Sequence, residues 1–531
     1  MMLNMSVLTS PQSKFLPKIL ISIGEFSECP QQTMAPTRKR QKVATKSKPK
    51  HLILNAFDML CPSLQTVGLW QHPDDKSRDY NTIEYWTHLA QVLERGKFNA
   101  LFIADVLSGY DVYQGPRNIS AVARAGAQFP IDDPHAVIPV MAAVTKNLSF
   151  AVTSSTISEA PYHFARRLAT LDHLTKGRVG WNIVSSYLDS SARNLLNGAP
   201  LTDHDERYDK AQGFLEIVYQ LFLSSWADDA VELKDGIFSN PDKIREINYE
   251  GKYYTVPGPS ITEPTPQRLP VILQAGASKR GTEYAAKNAE AVFMSVSSAE
   301  ELKTKIDNLK REVKKQGRNP DDVKTVIQIT VITAPTHDEA VAKLNEYKGY
   351  VDREGVQGLF SGWTGLDISK YGYDEVIGNV QTNASKSAVD KWANNGSEDP
   401  AKKKNTRAAI IEDILIGGAG PVVVGDPNEV ADELIRWHEV SGVDGFNFTY
   451  AITPGTFEDL VDYVVPVLQE RGYAQKEYPK EGLTFRENLY GVGETFLKPD
   501  HPAYGLRWKA GETKEEFEER LSGVLEANFS K

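Results

Sequence analysis

The chain has two cysteines in 531 residues, Cys29 and Cys61, too few for a disulfide framework and wrongly spaced for a zinc site. A reducing, cytoplasmic setting is the expectation that follows. Its ten histidines form no HExxH pair and no Cys/His cluster, which excludes the common zinc arrangements, and no GxSxG elbow is present to carry a serine nucleophile. No apolar run approaches the roughly 18 residues a membrane-crossing helix needs, and residues 1–33 lack the apolar core and small-residue cleavage site of a secretion signal. Basic charge is scarce too. The formal net charge is −10, and because residues 1–50 hold nine Lys or Arg against Glu25 and Glu28, the remainder stands at −17. An acidic body argues against nucleic-acid binding, which needs phosphate-neutralising surface. The basic run from Arg38 to Lys50 has no periodicity and no aromatic residue. Residues 1–50 therefore read as a disordered, solvated extension, with nuclear or organellar targeting left open as the other reading.

What is present from His51 onward is a rhythm of short β-rich runs and helical periodicity, the pattern of βα units on a parallel sheet. Eight strands are predicted: LILNAF from Leu52, ALFIAD ending in Asp105, SFAVTSST from Ser149, RVGWNIV from Arg178, PVILQAG from Pro270, AVFMSV from Ala291, TVIQITVIT from Thr325 and GFNFTY from Gly445. Between them, Ile83, Trp86, Ala90 and Leu93 recur at helical spacing behind a cap at Asn81 and Glu84. Leu302, Ile306, Leu309 and Val313 do the same behind a Ser298–Glu301 capping box. Pro466 should kink or end the last helix. Two stretches break the rhythm and read as insertions. One, at about 225–268, has a hairpin around Glu250 and Gly251; the other, at about 356–420, is rich in Gly, Asn, Ser and Lys and reads as a lid or mobile loop. The expected fold is α/β: a (β/α)8 TIM barrel with insertions over 51–490, followed by a C-terminal extension over 491–531.

In such barrels chemistry gathers at the C-terminal strand ends, which points to Asp105, Thr153, Asn182 and the turn after Gln274. In LQAGASKRG (Leu273–Gly281) a strand runs into small residues and a helix start with Ser278, Lys279 and Arg280. That is either a phosphate cradle or an ordinary βα turn. GGAGPVVVG (Gly417–Gly425) has Pro421 directly after its glycines and no acidic residue at the distance a dinucleotide site requires, so it reads as a structural turn. In DHDERY (Asp203–Tyr208), His204 and Tyr208 are four apart and share one helix face. Trp70, His72 and Pro73, beyond the first strand, supply an aromatic wall with a polar tip, or plain surface packing.

Taken in order, WQHP (Trp70–Pro73), ALFIAD, SFAVTSST, the run SEAPYHFARRLATLDHLTKGRVGWNIVSS, DHDERY, LQAGAS and GGAGPVVVGDP resemble one family. It is the flavin-dependent monooxygenases typified by nitrilotriacetate monooxygenase, dibenzothiophene sulfone monooxygenase and the pristinamycin synthase oxygenase subunit, within the bacterial-luciferase-like superfamily. The resemblance implies a luciferase-like TIM barrel that binds FMN noncovalently, receives it reduced from an NAD(P)H:FMN reductase, uses O2, and assembles as a dimer or tetramer. It implies that Asp105 and Thr153 lie by the flavin ring with Asn182 beside it, that His204 and Tyr208 serve the ribityl and phosphate side, and that Ser278 meets the phosphate. His72, Tyr162 and His163 are the catalytic candidates near the oxygenated flavin, His163 either as a hydrogen-bond donor or simply as a helix-start residue. Two rival readings stand beside this one: a deazaflavin-dependent oxidoreductase of the same fold, and a flavin-binding protein without turnover.

Overall fold

Eight parallel strands organise the computed structural model, which describes residues 51–276, 278–377 and 405–529. They are β1 (Ile53–Met59), β2 (Ala100–Ala104), β3 (Ser149–Ser155), β4 (Val179–Val184), β5 (Val271–Gln274), β6 (Ala291–Met294), β7 (Lys324–Thr333) and β8 (Gly445–Thr449). Each pairs with its neighbours in the chain, and β8 returns to β1 through Ile53↔Gly445 to Ala56↔Phe448. The ring closes and leaves no barrel edge. The predicted barrel is thus present, with every predicted strand in its place. The basic residues 1–50 lie outside the described residues.

Helices form where the apolar spacing is 3.6 and pack on the outside. They include α1 (Ile83–Arg95), α2 (Pro161–Leu174), α3 (His204–Leu223), α4 (Lys279–Asn288), α5 (Ala299–Lys315), α6 (His337–Tyr350) and α7 (Arg353–Thr364). On α5 the stripe Leu302, Ile306, Leu309 and Val313 is fully buried, each side chain contributing about 1.5–3 kcal/mol relative to exposure. The cap of α1 is Thr82, whose hydroxyl accepts from Tyr85 N; the sequence places the cap one residue early, at Asn81. Outward-facing Trp181 of β4 packs against Phe164 of α2 at 4.4 Å and Phe214 of α3 at 5.9 Å, fixing two helices to one strand. Pro466 does not end its helix: the backbone stays helical from Gly455 to Glu470, and a π turn over Leu460–Val464 just before the proline accommodates the i−4 carbonyl its ring cannot bond.

The insertion expected at 225–268 contains two hairpins, the second pairing Tyr249–Glu250 with Thr255–Val256 as predicted. The stretch expected as a mobile loop from 356 starts instead inside α7, whose residues from Gly355 to Thr364 are all buried. Gly355, Gly358 and Gly362 follow helical spacing, and a Cβ on any of them would run into Ala125, Val122 or Tyr110. Small residues there let α7 lie close against Ser120–Ala125, so the glycines that suggested mobility serve packing. Residues 378–404 lie outside the described residues.

The strand β7 is long enough to serve three partners: β6 at its start, β8 in its middle, and an additional strand, Val422–Gly425, at its end. This places the preceding glycine run over the mouth of the barrel. At the opposite end, Phe485 lies under Gly180, where a Cβ would meet its ring at 2.7 Å. Beside it the buried Arg486 makes a two-pronged bond to Glu290, Nε to Oε2 at 2.7 Å and Nη2 to Oε1 at 2.9 Å. The tail packs back on the barrel: the backbone N–H of Trp508 donates to Leu223 O, and its ring stacks on Phe517 at 4.9 Å. Replacing Arg486 with Met strands the Glu290 charge in the interior. Urea unfolding of Arg486→Met is expected to show a loss of about 3–5 kcal/mol; a loss below about 1 kcal/mol would mean that the pair does not fasten this end of the barrel.

Candidate active site

Strand alternation sends every second side chain toward the barrel axis. On β1, β2 and β6 the chosen residues are Phe57, Phe102 and Phe293, with ring centroids 5.0 Å apart for the first pair and 4.2 Å for the second. They pave a cavity of about 250 Å³ whose polar lining includes Gln65, Gln328, Asn447 and Ser295. The glycine run covers part of it. Gly417 N donates to Thr66 Oγ1 at 3.1 Å, Gln328 donates to Gly417 O at 3.2 Å, and Ser295 donates to Ala419 O at 2.8 Å. Gly417 and Gly418 have φ of +71° and +60°, and a Cβ at Gly418 would sit 2.5 Å from Gln65 Oε1. The run is a turn that must lie close, as the sequence reading had it.

Thr153 and Asn182 are paired across β3 and β4, and Asn182 Nδ2 donates to Thr153 Oγ1 at 2.9 Å. Among the described residues the Oδ1 atoms of Asn182, Asn55 and Asn447 have no partner. A buried unpaired carbonyl costs about 1–3 kcal/mol, and of the three residues only Asn447 lines the cavity.

The cavity also touches Ala275, Gly276 and Thr282, and so reaches the turn where α4 begins. Ser278 caps α4, its Oγ accepting from Gly281 N at 3.0 Å. Tyr208 of α3, hydrogen-bonded to Ser278 and pushed up in pKa chiefly by burial, stands over the same turn. A Cβ on Gly281 would lie 2.7 Å from its hydroxyl. The ring of His204 packs edge-on to Tyr208 at 5.2 Å, and Arg280 ties α4 to Asp209 of α3 at 2.5 Å. His204, Tyr208 and Ser278 are therefore brought together at a helix N-terminus whose glycines, Gly276 and Gly281, let the Tyr208 hydroxyl lie close to the backbone.

Asp105 directly follows β2 and lines a second, larger cavity of about 690 Å³, shared with Asp133, His135, Glu159, His163 and Arg167. Burial, helped by the nearby Asp133 carboxylate, raises Asp105 to about 7 against the pull of Val106 N–H and Arg167. His163 lines this cavity from its exposed side, 3.6 Å from Glu159, and Tyr162 is half-buried in the first turn of α2. His72 stands apart. It is buried against Tyr347 and Tyr350 of α6, with Nε2 3.3 Å from Glu346 and Nδ1 accepting from Asp74 N at 3.2 Å. Both ring nitrogens are engaged, and the aromatic wall expected of Trp70 and His72 is turned onto neighbouring helices, with Trp70 donating to Ala125 O.

The sequence reading did not single out the three phenylalanines, Asn447 or the two glutamines, although their alternate strand positions carried the signal for the rings. It also passed over Asp58, on the outward face of β1. Tyr85 of α1 donates to its Oδ2 at 2.6 Å and shares a hydrogen bond with Thr453 at 2.7 Å, while Thr453 N donates to Asp75 at 2.9 Å. Burial lifts Asp58 to about 7 and Asp75 to about 6, with these hydrogen bonds opposing.

With this geometry in view the comparisons are decisive. The luciferase-like monooxygenase family model matches residues 59–444. The chain belongs to that family. It is 45% identical over 460 residues to the dimethyl-sulfide monooxygenase of Hyphomicrobium sulfonivorans, covering 86% of this chain and 94% of the relative. It is 45% identical over 460 residues to the long-chain alkane monooxygenase of Geobacillus thermodenitrificans, covering 86% and 98%. A crystal structure of riboflavin lyase with modified FMN and riboflavin shares the fold at a TM-score of 0.79 and 33% identity, covering 86% of this chain and 100% of that one. The resemblance read from the motifs holds, and this luciferase-like protein is a monooxygenase.

Asp58 gives the site's support a testable pH dependence. An unfolded aspartate titrates near 3.9, so between there and about 7 the folded chain holds a proton that the unfolded chain has lost. Its contribution to stability is complete below about pH 4, declines as pH rises to about 7, and stays lost above that. Unfolding free energies between pH 4.5 and 7.5 should fall by up to a few kcal/mol in the parent and by clearly less in Asp58→Asn; identical slopes would contradict the assignment.

Proposed function

We propose that the chain is an FMN-dependent, two-component monooxygenase, taking reduced FMN from an NAD(P)H:FMN reductase and placing one oxygen atom of O2 on a small organic substrate in the cytoplasm. The observation that carries this reading is a cavity paved by three phenylalanines and lined by Asn447, Gln65 and Gln328, which reaches Ala275, Gly276 and Thr282 at the turn where α4, capped by Ser278 and overlain by Tyr208, begins. A flavin mononucleotide needs both ends of such a site.

The first-turn N–H groups of α4, with Ser278, Tyr208 and His204, would hold the phosphate and ribityl end. Asn182 and Thr153 would meet the ring edge, with Asp105 near the rim. Bound reduced flavin supplies the electrons with which O2 is activated. The chain's own part is to bind, orient and keep dry. Phe57, Phe102 and Phe293 exclude water from the mouth, and Asp105, holding its proton up to about pH 7, donates a hydrogen bond where an ordinary carboxylate only accepts. His163 and Tyr162 remain the candidates for the substrate side, both at the start of α2. His72, with both nitrogens engaged, is better assigned to holding α6 in place. The relatives' names specify dimethyl sulfide and a long-chain alkane, both neutral molecules, which supports a neutral substrate for this chain.

Ser278→Ala removes a phosphate partner and a helix cap together. Fluorescence titration is expected to show FMN binding weakened by about 10–100-fold, the loss of a charge-assisted hydrogen bond, with a stability cost of only about 1 kcal/mol for the cap. With a reductase, NADH and O2, the parent chain should form oxygenated product and Ser278→Ala should need more FMN to do so. Unchanged FMN affinity in the variant, or turnover with deazaflavin in the absence of O2, would overturn the reading.

A further inference from the structure

The aromatic-paved cavity is lined almost entirely by uncharged groups. Its polar side chains are amides and hydroxyls, with one exception: among the described residues that line it, Lys305 of α5 is the single ionisable side chain. The packing of α5 does not require a cation there, because its buried stripe is Leu302, Ile306, Leu309 and Val313. Lys305 stands beside that stripe, its side chain 37% exposed, and its Nζ donates to Ser295 O at 3.4 Å. Ser295 directly follows β6 and lines the same cavity, so the ammonium is held at the cavity wall.

Helix register brings this lysine level with the first turn of α4. Because α4 and α5 follow the paired parallel strands β5 and β6, they run side by side in the same direction, and Ala285 and Ala286 of α4 share a buried cluster with Leu309 and Val313 of α5. One turn back from Ala286 is Thr282, and one turn back from Leu309 is Lys305; both line the cavity. Thr282 in turn donates its hydroxyl to Ser278 O at 3.0 Å. The cavity's cation and the capped start of α4 therefore border the same end of it.

The partner that holds Lys305 is one it can leave. Glu301 Oε1 lies 3.1 Å from Nζ, four residues back on the same helix, with both side chains more than a third exposed. Such surface pairs are weak, whereas a phosphate offers two charges and three acceptor oxygens. A lysine suits that exchange, being a point charge with three donors on a flexible stem.

We propose that Lys305 is a binding and specificity residue for the anionic end of the cavity's ligand: its ammonium exchanges Glu301 for the phosphate of the flavin, and so makes the site prefer FMN to riboflavin. The proposal rests on the flavin reading of this cavity and adds to it a determinant of which flavin is taken.

Fluorescence titration of the full chain with oxidised FMN and with riboflavin, which differ only in the phosphate, tests it. Lys305→Met keeps an apolar stem and removes the charge; it should weaken FMN binding by about tenfold, the loss of one charge-assisted contact, and leave riboflavin affinity unchanged. Lys303→Met removes a charge from the same helix at an exposed position, paired with Asp307 at 2.8 Å and outside the cavity lining, and should move neither affinity. Glu301→Gln releases the ammonium from its carboxylate and should tighten FMN by about twofold, the worth of a surface pair, with no effect on riboflavin; a lysine with only a structural role gives no such gain. Equal losses for FMN and riboflavin in Lys305→Met, the same loss in Lys303→Met, or an FMN affinity that Lys305→Met or Glu301→Gln leaves unmoved overturns the proposal. If the parent chain binds neither flavin, the flavin reading falls and this inference with it; if the parent and Lys305→Met bind FMN equally, this inference falls alone.

Discussion

Alternation within a closed ring of parallel strands is the constraint on which the rest of the molecule depends. Because a closed barrel has an inside, every second residue must face the axis, and the choice of residue at those positions decides what the interior can hold. Here Phe57, Phe102 and Phe293 occupy three of them, with Asn55, Asn182, Asn447 and Thr153 on others. Rings exclude water, and the inward amides are buried behind them. The outward residues of the same strands, Trp181 and Asp58 among them, fasten the helices. One periodicity thus sets both the site and its support.

Closure also makes the two ends of the barrel unlike. Phe485 and the Arg486–Glu290 pair stop the N-terminal end, leaving the C-terminal end for loops. There β7 outlasts its neighbours and pairs with Val422–Gly425, which carries the turn Gly417–Gly420 across the mouth. The α4 N-terminus comes to the same mouth because β5 ends at Gln274 and only four residues separate it from Lys279. The α4 turn, aromatic floor and rim cavity are consequences of where strands stop.

Much of this was legible in the chain. The eight strands are runs of β-branched and aromatic residues bounded by Gly, Pro and Asn, and local propensity agrees with the global fold at each. Asp105, Thr153, Asn182, His204, Tyr208 and Ser278 could be named because they sit at strand ends or helix starts, positions that local pattern does reveal. What local pattern hides is direction and distance. His72 follows the first strand closely, yet the chain turns it onto α6. Gly355, Gly358 and Gly362 look like loop residues until their spacing is matched to a helix that must lie against another. Asp58 reads as one polar residue in an apolar strand, and its raised pKa depends on Tyr85 and Thr453, the latter 395 residues away.

The central claim is that the aromatic-paved mouth of the barrel and the neighbouring start of α4 together receive a flavin mononucleotide. A crystal structure of the chain soaked with FMN tests it most directly. The account predicts the phosphate at the start of α4 within hydrogen-bond reach of Ser278 and Tyr208, and the ring system in the mouth beside Asn182. Flavin density elsewhere, such as in the groove between the Tyr249–Val256 hairpin and the C-terminal helix, or a phosphate remote from Ser278, would contradict it.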